Sequence, residues 1–124
     1  MADSATEAEV LSYLRDEYPD AAELAAWVRR GVLVADPDLS ERVYRGWQGI
    51  GFRHPEAGYV CGIFPRGARV ELLFEHGASL VDPDGLLGGT GTQTRTLTVA
   101  RPDAATERVI SRLVQQAVAQ RLLR

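Results

Sequence analysis

The chain has 124 residues and contains no lysine, so all fourteen of its basic residues are arginine. Without lysine it has no Schiff-base nucleophile, no pyridoxal phosphate site of the usual design and no phosphate loop ending in Gly-Lys-Ser/Thr. Abundant Ala, Val, Leu, Arg and Gly beside the missing lysine indicates a GC-rich bacterial genome. Several classes of lysine-dependent chemistry are therefore excluded.

Cysteine and long apolar segments are also scarce. Cys61 is the only cysteine, so the chain cannot form an internal disulfide. No apolar run has the length of a membrane-spanning helix, and the acidic start, residues 1–4, lacks the basic and apolar regions of a signal peptide. These features predict a cytosolic protein without a membrane partner. The length predicts one domain over residues 1–124.

Charge is distributed unevenly along the chain. Residues 1–41 carry ten acids and three arginines, a balance of −7, and the remainder carries seven acids and eleven arginines, a balance of +4. Nucleic-acid binding needs a basic surface for phosphates, and the acidic N-terminal part argues against one. We therefore expect no nucleic-acid partner.

Helical spacing of apolar residues predicts helices over residues 6–17, 20–34 and 38–45, and a final helix from Asp103 to Arg124. The third helix is predicted from Asp36-Pro37, because these residues fit an N-cap followed by proline at the first helical position.

Three strand-like runs follow, at Trp47–Arg53, Tyr59–Phe64 and Arg69–Glu75, and the short turns between them indicate an antiparallel meander. A fourth strand contains residues 97–99, after a long glycine-rich loop. This order predicts an α+β domain. In it, about four antiparallel strands carry the N-terminal helices and the C-terminal helix on one face.

Spaced Gly, Asp-Pro and Arg residues form a further pattern in three segments. These are Gly46-Trp47-x-Gly49-Ile50-Gly51-Phe52, Val70-x-Leu72-x-Phe74-x-x-Gly77-x-x-Leu80-x-Asp82-Pro83 and Leu86-Leu87-x-Gly89-x-Gly91-x-x-x-Arg95. The pattern resembles the YdhG-like family, largely a domain of unknown function, over most of the chain. The resemblance implies the same α+β fold in a small bacterial cytosolic protein without established enzymatic activity. One branch of that family is described as frataxin-like iron chaperones, which makes iron a candidate cargo.

Two histidines and several carboxylates are the candidate metal ligands. His54 and His76 follow the first and third predicted strands, at one end of a meander, where Glu75 could complete a site of two histidines and a carboxylate. Glu17 and Asp20, in the acidic helices, could hold iron through oxygen atoms. The alternative is that the histidines make local hydrogen bonds in turns and the acids form a solvated helix face.

A small-ligand site is a further hypothesis, on one face of the first predicted strand. Trp47, Gly49, Gly51 and Arg53 share that face because strand side chains alternate. Glycine weakens a strand and is tolerated where another group approaches closely. One interpretation is a shallow pocket edged by Trp47, Arg53 and Tyr59, and the other is close packing of a helix.

The glycine-rich loop that ends at Arg95 could present backbone N–H groups and a guanidinium to an anion. It leads into a strand, whereas a dinucleotide fingerprint leads into a helix. Turn chemistry explains the loop better. We therefore expect Arg95 to hydrogen-bond loop carbonyls or to pair with Asp82.

No catalytic motif is complete. The chain has no Gly-x-Ser-x-Gly elbow, and Cys61 lies in mid-strand, where a small buried side chain is expected. We therefore expect a non-enzymatic protein that binds an unknown protein or small ligand, with iron handling as the leading interpretation. The alternatives are a protein–protein adaptor or homodimer, and a small-molecule binder that uses the glycine-rich strand face.

Overall fold

A computed structural model describes residues 5–123. Two predictions lie outside the described residues. One is that residues 1–4 do not begin a signal peptide, and the other is that the last helix ends at Arg124. The described chain forms three helices and one antiparallel sheet of six strands. The helices are α1 (Glu7–Glu17), α2 (Ala22–Ala35) and α3 (Ala104–Leu122). The strands are β1 (Ser40–Tyr44), β2 (Gly49–His54), β3 (Gly58–Arg66), β4 (Arg69–Phe74), β5 (Leu87–Gly88) and β6 (Arg95–Val99).

The strands lie in the order β1-β2-β3-β4-β6-β5, and every neighbouring pair is antiparallel. Hairpins join the first four strands, since short turns connect antiparallel neighbours. After the long loop, β6 returns beside β4, and the two-residue β5 forms the far edge. The α+β class and the antiparallel meander are therefore confirmed. The prediction of about four strands omitted β1 and β5.

The helix predicted over residues 38–45 is wrong, because this segment contains β1. Leu39 and Val43 have the spacing of one helical turn, but Leu39 is buried just before the strand and Val43 is paired with β2. Asp36 ends α2 and does not start another helix. Its Oδ1 accepts the backbone N–H of Asp38 at 3.0 Å, which forms a turn toward the sheet.

Two helix starts follow the capping rules closely. The hydroxyl of Thr6 accepts the N–H of Glu9 at 3.2 Å, and Glu9 accepts the N–H of Thr6 at 3.0 Å, which makes a capping box for α1. At α3, Asp103 accepts the N–H of Thr106 at 2.8 Å. Hydrogen bonding from the side chain of Thr106, and then from this backbone N–H, lowers the pKa of Asp103.

The core lies between the helices and one face of the sheet. Alternate strand positions supply it, and Ile50, Phe52, Ile63 and Leu72 are fully buried there. Helix α2 contacts β3, β4 and α3, while α1 contacts α2 and β1. Within the described part of the chain, no helix combines the length and the apolar character required to cross a membrane.

A buried ion pair joins the helices to the edge strand β1. Arg29 of α2 and Glu41 of β1 are each 6% exposed. The Nε and Nη2 of Arg29 donate to the two carboxylate oxygens of Glu41 at 2.7 and 2.6 Å, and its Nη1 donates to Glu7 of α1 at 2.9 Å. The hydrogen bonds to Glu41 raise the pKa of Arg29. One guanidinium therefore links α1, α2 and β1.

We predict that Glu41→Ala lowers the free energy of unfolding by about 3 kcal/mol, because it leaves a buried guanidinium without its main partner. Glu7→Ala is the matched control and should cost less than about 1 kcal/mol, since Glu7 is 66% exposed. Replacing both buried partners, as Arg29→Met with Glu41→Leu, should restore most of the loss. Urea denaturation measures all three, and equal losses for Glu7→Ala and Glu41→Ala would contradict the account.

Candidate functional site

The face of the sheet opposite the helices, called the open face below, carries aromatic and arginine side chains. In the β1–β2 ladder, Glu41 pairs with Phe52 on the core face, so Arg42 and Tyr44 point to the open face with their partners Gly51 and Gly49. The same alternation assigns Phe64 and Arg66 of β3, Arg69, Glu71 and Leu73 of β4, and Thr96 and Thr98 of β6 to the open face.

A β-bulge brings Tyr59 to the open face. Phe52 pairs with Cys61 on the core face, but the next residue, Arg53, pairs with Tyr59, so Val60 is the extra residue. Val60 is 3% exposed and belongs to the core. Simple alternation would have put Tyr59 on the same face as Cys61. The bulge reverses this, and Trp47, Arg53 and Tyr59 are on one face as the sequence predicts.

The glycines of the open face lie under aromatic rings. A Cβ on Gly51 would lie 2.5 Å from the Tyr44 ring and 2.9 Å from the Tyr59 ring. A Cβ on Gly49 would lie 2.6 Å from the Phe64 ring. The close approach expected at these glycines is confirmed. The groups that approach are the protein's own aromatic rings and, at Gly49, also the carbonyl oxygen of Ile63, rather than a helix. Binding of a small ligand at this face stays a prediction.

Trp47 lies in the β1–β2 hairpin loop and forms the outermost ring of this layer. Its indole stacks on Tyr44 with a centroid distance of 4.4 Å and an interplanar angle of 16°. It also meets the edge of Tyr59 at 6.1 Å and 84°. Although two rings support it, Trp47 remains 57% exposed. The second face of the indole is therefore available to a ligand.

The open face is basic, although the chain carries a net charge of −3. Among its described strand positions, one acid, Glu71, stands beside four arginines: Arg42, Arg53, Arg66 and Arg69. Glu71 lies 3.4 Å from Arg66, while within residues 5–123 the other three arginines have no carboxylate within ion-pair distance. Arg42 and Arg66 lie over the rings of Tyr44 and Phe64 at 5.2 and 5.7 Å. This face can therefore attract anionic, aromatic or apolar groups.

Arg95 does not belong to the open face. Its Nη1 donates to the carbonyls of Gly91 and Thr94 at 2.6 and 2.7 Å, as the loop-carbonyl interpretation predicts. Asp82 does not pair with it and instead accepts the N–H groups of Leu86 and Leu87, both at 2.9 Å. Arg95 and Asp82 therefore shape the long loop.

Among residues 5–123, one group of three metal-binding side chains has all its ligand atoms within 4.8 Å: Asp36, Asp38 and His54. The Nδ1 of His54 accepts the N–H groups of Glu56 and Ala57 at 3.0 and 3.2 Å. Its Nε2, 4.0 Å from Asp36, therefore carries the ring proton of the neutral form. The two carboxylates are the donors of this group that could hold a cation directly. The Nε2 of His54 could join them only if the ring proton moved to Nδ1, which would break the hydrogen bonds from Glu56 and Ala57.

The other predicted metal ligands belong to no such group in the described chain. His76 lies 3.9 Å from Glu75, which also lies 3.6 Å from Arg121 of α3. Glu17 is exposed and lies 3.9 Å from Arg45. Asp20 is exposed in the turn before α2. The structure does not bring these four side chains together with His54, and metal binding by any of them stays a prediction.

Cys61 is fully buried, and its burial raises the pKa of the thiol, which disfavours the nucleophilic thiolate. Burial likewise raises the pKa of Tyr59, so its hydroxyl stays neutral at physiological pH.

Sequence reasoning missed Tyr44, Arg42 and Phe64 on the open face. The first two were hidden by the helix predicted over 38–45, because Glu41-Arg42-Val43-Tyr44 shows no polar–apolar alternation that would indicate a strand.

Comparisons with protein-family models, with curated proteins and with solved structures found no match to this chain. The YdhG-like resemblance therefore stays a prediction.

We predict that Gly49→Ala lowers the free energy of unfolding by about 1–3 kcal/mol, because the new methyl group overpacks the sheet. Its Cβ would lie 2.6 Å from the carbonyl oxygen of Ile63, which cannot move aside as a side-chain end can. Gly46→Ala is the matched control, since no atom lies within 4 Å of its added Cβ. It should change stability by less than about 0.5 kcal/mol in thermal or urea denaturation. A similar loss in both variants would contradict the ring layer.

Proposed function

We propose that this protein is a small cytosolic, non-enzymatic binding module whose recognition surface is the open face of the sheet. We propose further that it is a YdhG-like protein, on the spaced Gly, Asp-Pro and Arg residues of its sequence. The observation that carries the binding proposal is Trp47, which is 57% exposed and stacked on Tyr44 in a basic surrounding.

Physical chemistry supports a binding role for this surface. Trp, Tyr and Arg are the residues that contribute most often to binding energy at interfaces. They bury a large area with few rotatable bonds, and here the rings are already held by one another. A ligand that stacks on Trp47 would therefore meet an ordered surface and would lose little free energy in ordering it.

The charge of the open face favours a different molecule, rather than a second copy of the chain, as the binding partner. In a two-fold symmetric dimer through this face, the same arginines would meet across the interface. Like charges placed together cost free energy, and Glu71 alone cannot neutralise them. We therefore propose a monomer that binds a separate ligand, in preference to the homodimeric module.

The test is a ¹⁵N NMR titration with a panel of anionic probes: a random Glu-Tyr copolymer, oligothymidylate, adenosine monophosphate and indole-3-acetate. We expect at least one probe to shift the Trp47 indole and the amides of β1, β2 and β3. Trp47→Ala should weaken that binding about tenfold or more. Val34→Ala, which removes a side chain that is 79% exposed on α2, should leave it unchanged.

Shifts confined to the helices, or affinity unchanged by Trp47→Ala, would contradict the proposed surface. So would a panel in which every probe fails to bind.

Iron handling is the second candidate function, and the observation that favours it is the group formed by Asp36, Asp38 and His54. Carboxylate oxygens suit hard cations, but two acids without the imidazole make a weak site. The predicted ligands His76 and Glu75 are an alternative site for the same iron-handling function.

Anaerobic calorimetry with Fe²⁺, against Mg²⁺ and Zn²⁺, separates these sites. If this candidate is correct, we expect saturable Fe²⁺ binding that Asp36→Ala with Asp38→Ala abolishes. The paired control, His76→Ala with Glu75→Ala, should leave it intact. Loss in the control pair instead would favour His76 and Glu75 as ligands, and heat no larger than with Mg²⁺ would eliminate iron.

A further inference from the structure

We infer that the open face binds an extended, acidic polypeptide segment of a partner protein, with an aromatic or apolar residue of that segment on Trp47. This inference rests on the proposed function and names the class of ligand.

The arginines of the open face complement an acidic ligand in charge. Arg42, Arg53 and Arg69 are exposed, and within residues 5–123 they have no acidic partner. A guanidinium binds a carboxylate through two parallel hydrogen bonds. Carboxylates from another chain would supply the missing partners at these three positions.

The positive electrostatic field of the open face covers only a short range. The open face is basic only locally, since the whole chain carries −3. Exposed acids occupy the helical layer, among them Glu9, Asp16 and Glu23. A nucleic acid gains its affinity by releasing counterions along a continuous basic surface. A short acidic segment needs only the local pairs, so the charge distribution favours a polypeptide.

The distance between arginines on the open face sets the spacing of acids in the ligand. Arg42 and Arg69, two of the arginines without an acidic partner, lie three strands apart and about four residues apart along the strand direction. Strand geometry puts their Cα atoms about 20 Å apart, a span that about six residues of an extended chain cover. The rings of Tyr44 and Phe64 lie between these two arginines. The expected segment therefore carries acids about six residues apart with a large apolar side chain between them.

The test measures the anisotropy of a fluorescently labelled Glu-Tyr copolymer as the full-length protein is added. Arg42→Glu with Arg53→Glu reverses two charges on the open face. Arg30→Glu with Arg108→Glu reverses two exposed charges on the helical layer and gives the same net charge. We expect the open-face pair to weaken binding about thirtyfold or more and the helical-layer pair to weaken it about threefold or less.

Each other outcome overturns a defined part of the account. Equal weakening in the two pairs would mean unspecific charge attraction, and loss of binding only in the helical-layer pair would move the site to the helical layer around Arg30 of α2 and Arg108 of α3. Oligothymidylate of matched charge that binds more tightly would make the ligand a nucleic acid. If the copolymer does not bind but another anionic probe shifts the Trp47 signal in the NMR titration, the ligand is not an acidic polypeptide. The proposed binding function of the open face would still hold. Circular dichroism and melting temperature check that each variant is folded.

Discussion

The buried pair of Arg29 and Glu41 fixes how the edge strand meets the rest of the fold. A strand has a side-chain period of two, so pulling Glu41 inward toward Arg29 necessarily turns Arg42 and Tyr44 outward. A slip of one residue would bury Arg42 and expose Glu41. In that register Arg42 would be buried without a carboxylate partner, whereas in the observed register the buried Glu41 is paired with Arg29. The cost of desolvating an unpaired charge therefore excludes the slipped register. The composition of the open face therefore depends on an ion pair on the opposite face.

The sheet is covered on both sides, but by different means. Helices cover the core face with aliphatic side chains, while the β1–β3 part of the open face is covered by a single layer of aromatic rings over glycines. Glycine is needed there because a Cβ would occupy the space of the rings. Such a thin layer leaves its outermost ring, Trp47, in contact with solvent and ready to stack on a ligand.

Much of the fold could be predicted from periodicity, but the open face could not. Apolar spacing and short turns indicated α1, α2, α3 and the β2–β3–β4 meander, because local pattern and tertiary packing agree there. The pattern predicts a helix in place of β1 because Leu39 and Val43 also match helical spacing, and only the pairing with β2 decides between helix and strand. Tyr59 required the bulge at Val60, which depends on cross-strand register that one strand's sequence does not contain. The group formed by Asp36, Asp38 and His54 depends on the turn after α2, where the sequence predicts the start of a helix instead.

The most direct test of the ring layer is a nuclear Overhauser spectrum of the free protein. Contacts are predicted from the Tyr59 ring to the Hα protons of Gly51, which should be shifted upfield because they lie under the rings of Tyr44 and Tyr59. Contacts from the Tyr59 ring to Ile63 or Phe52, with Gly51 at an ordinary shift, would place Tyr59 in the core. That result would contradict the bulge and remove the surface on which the proposed binding depends.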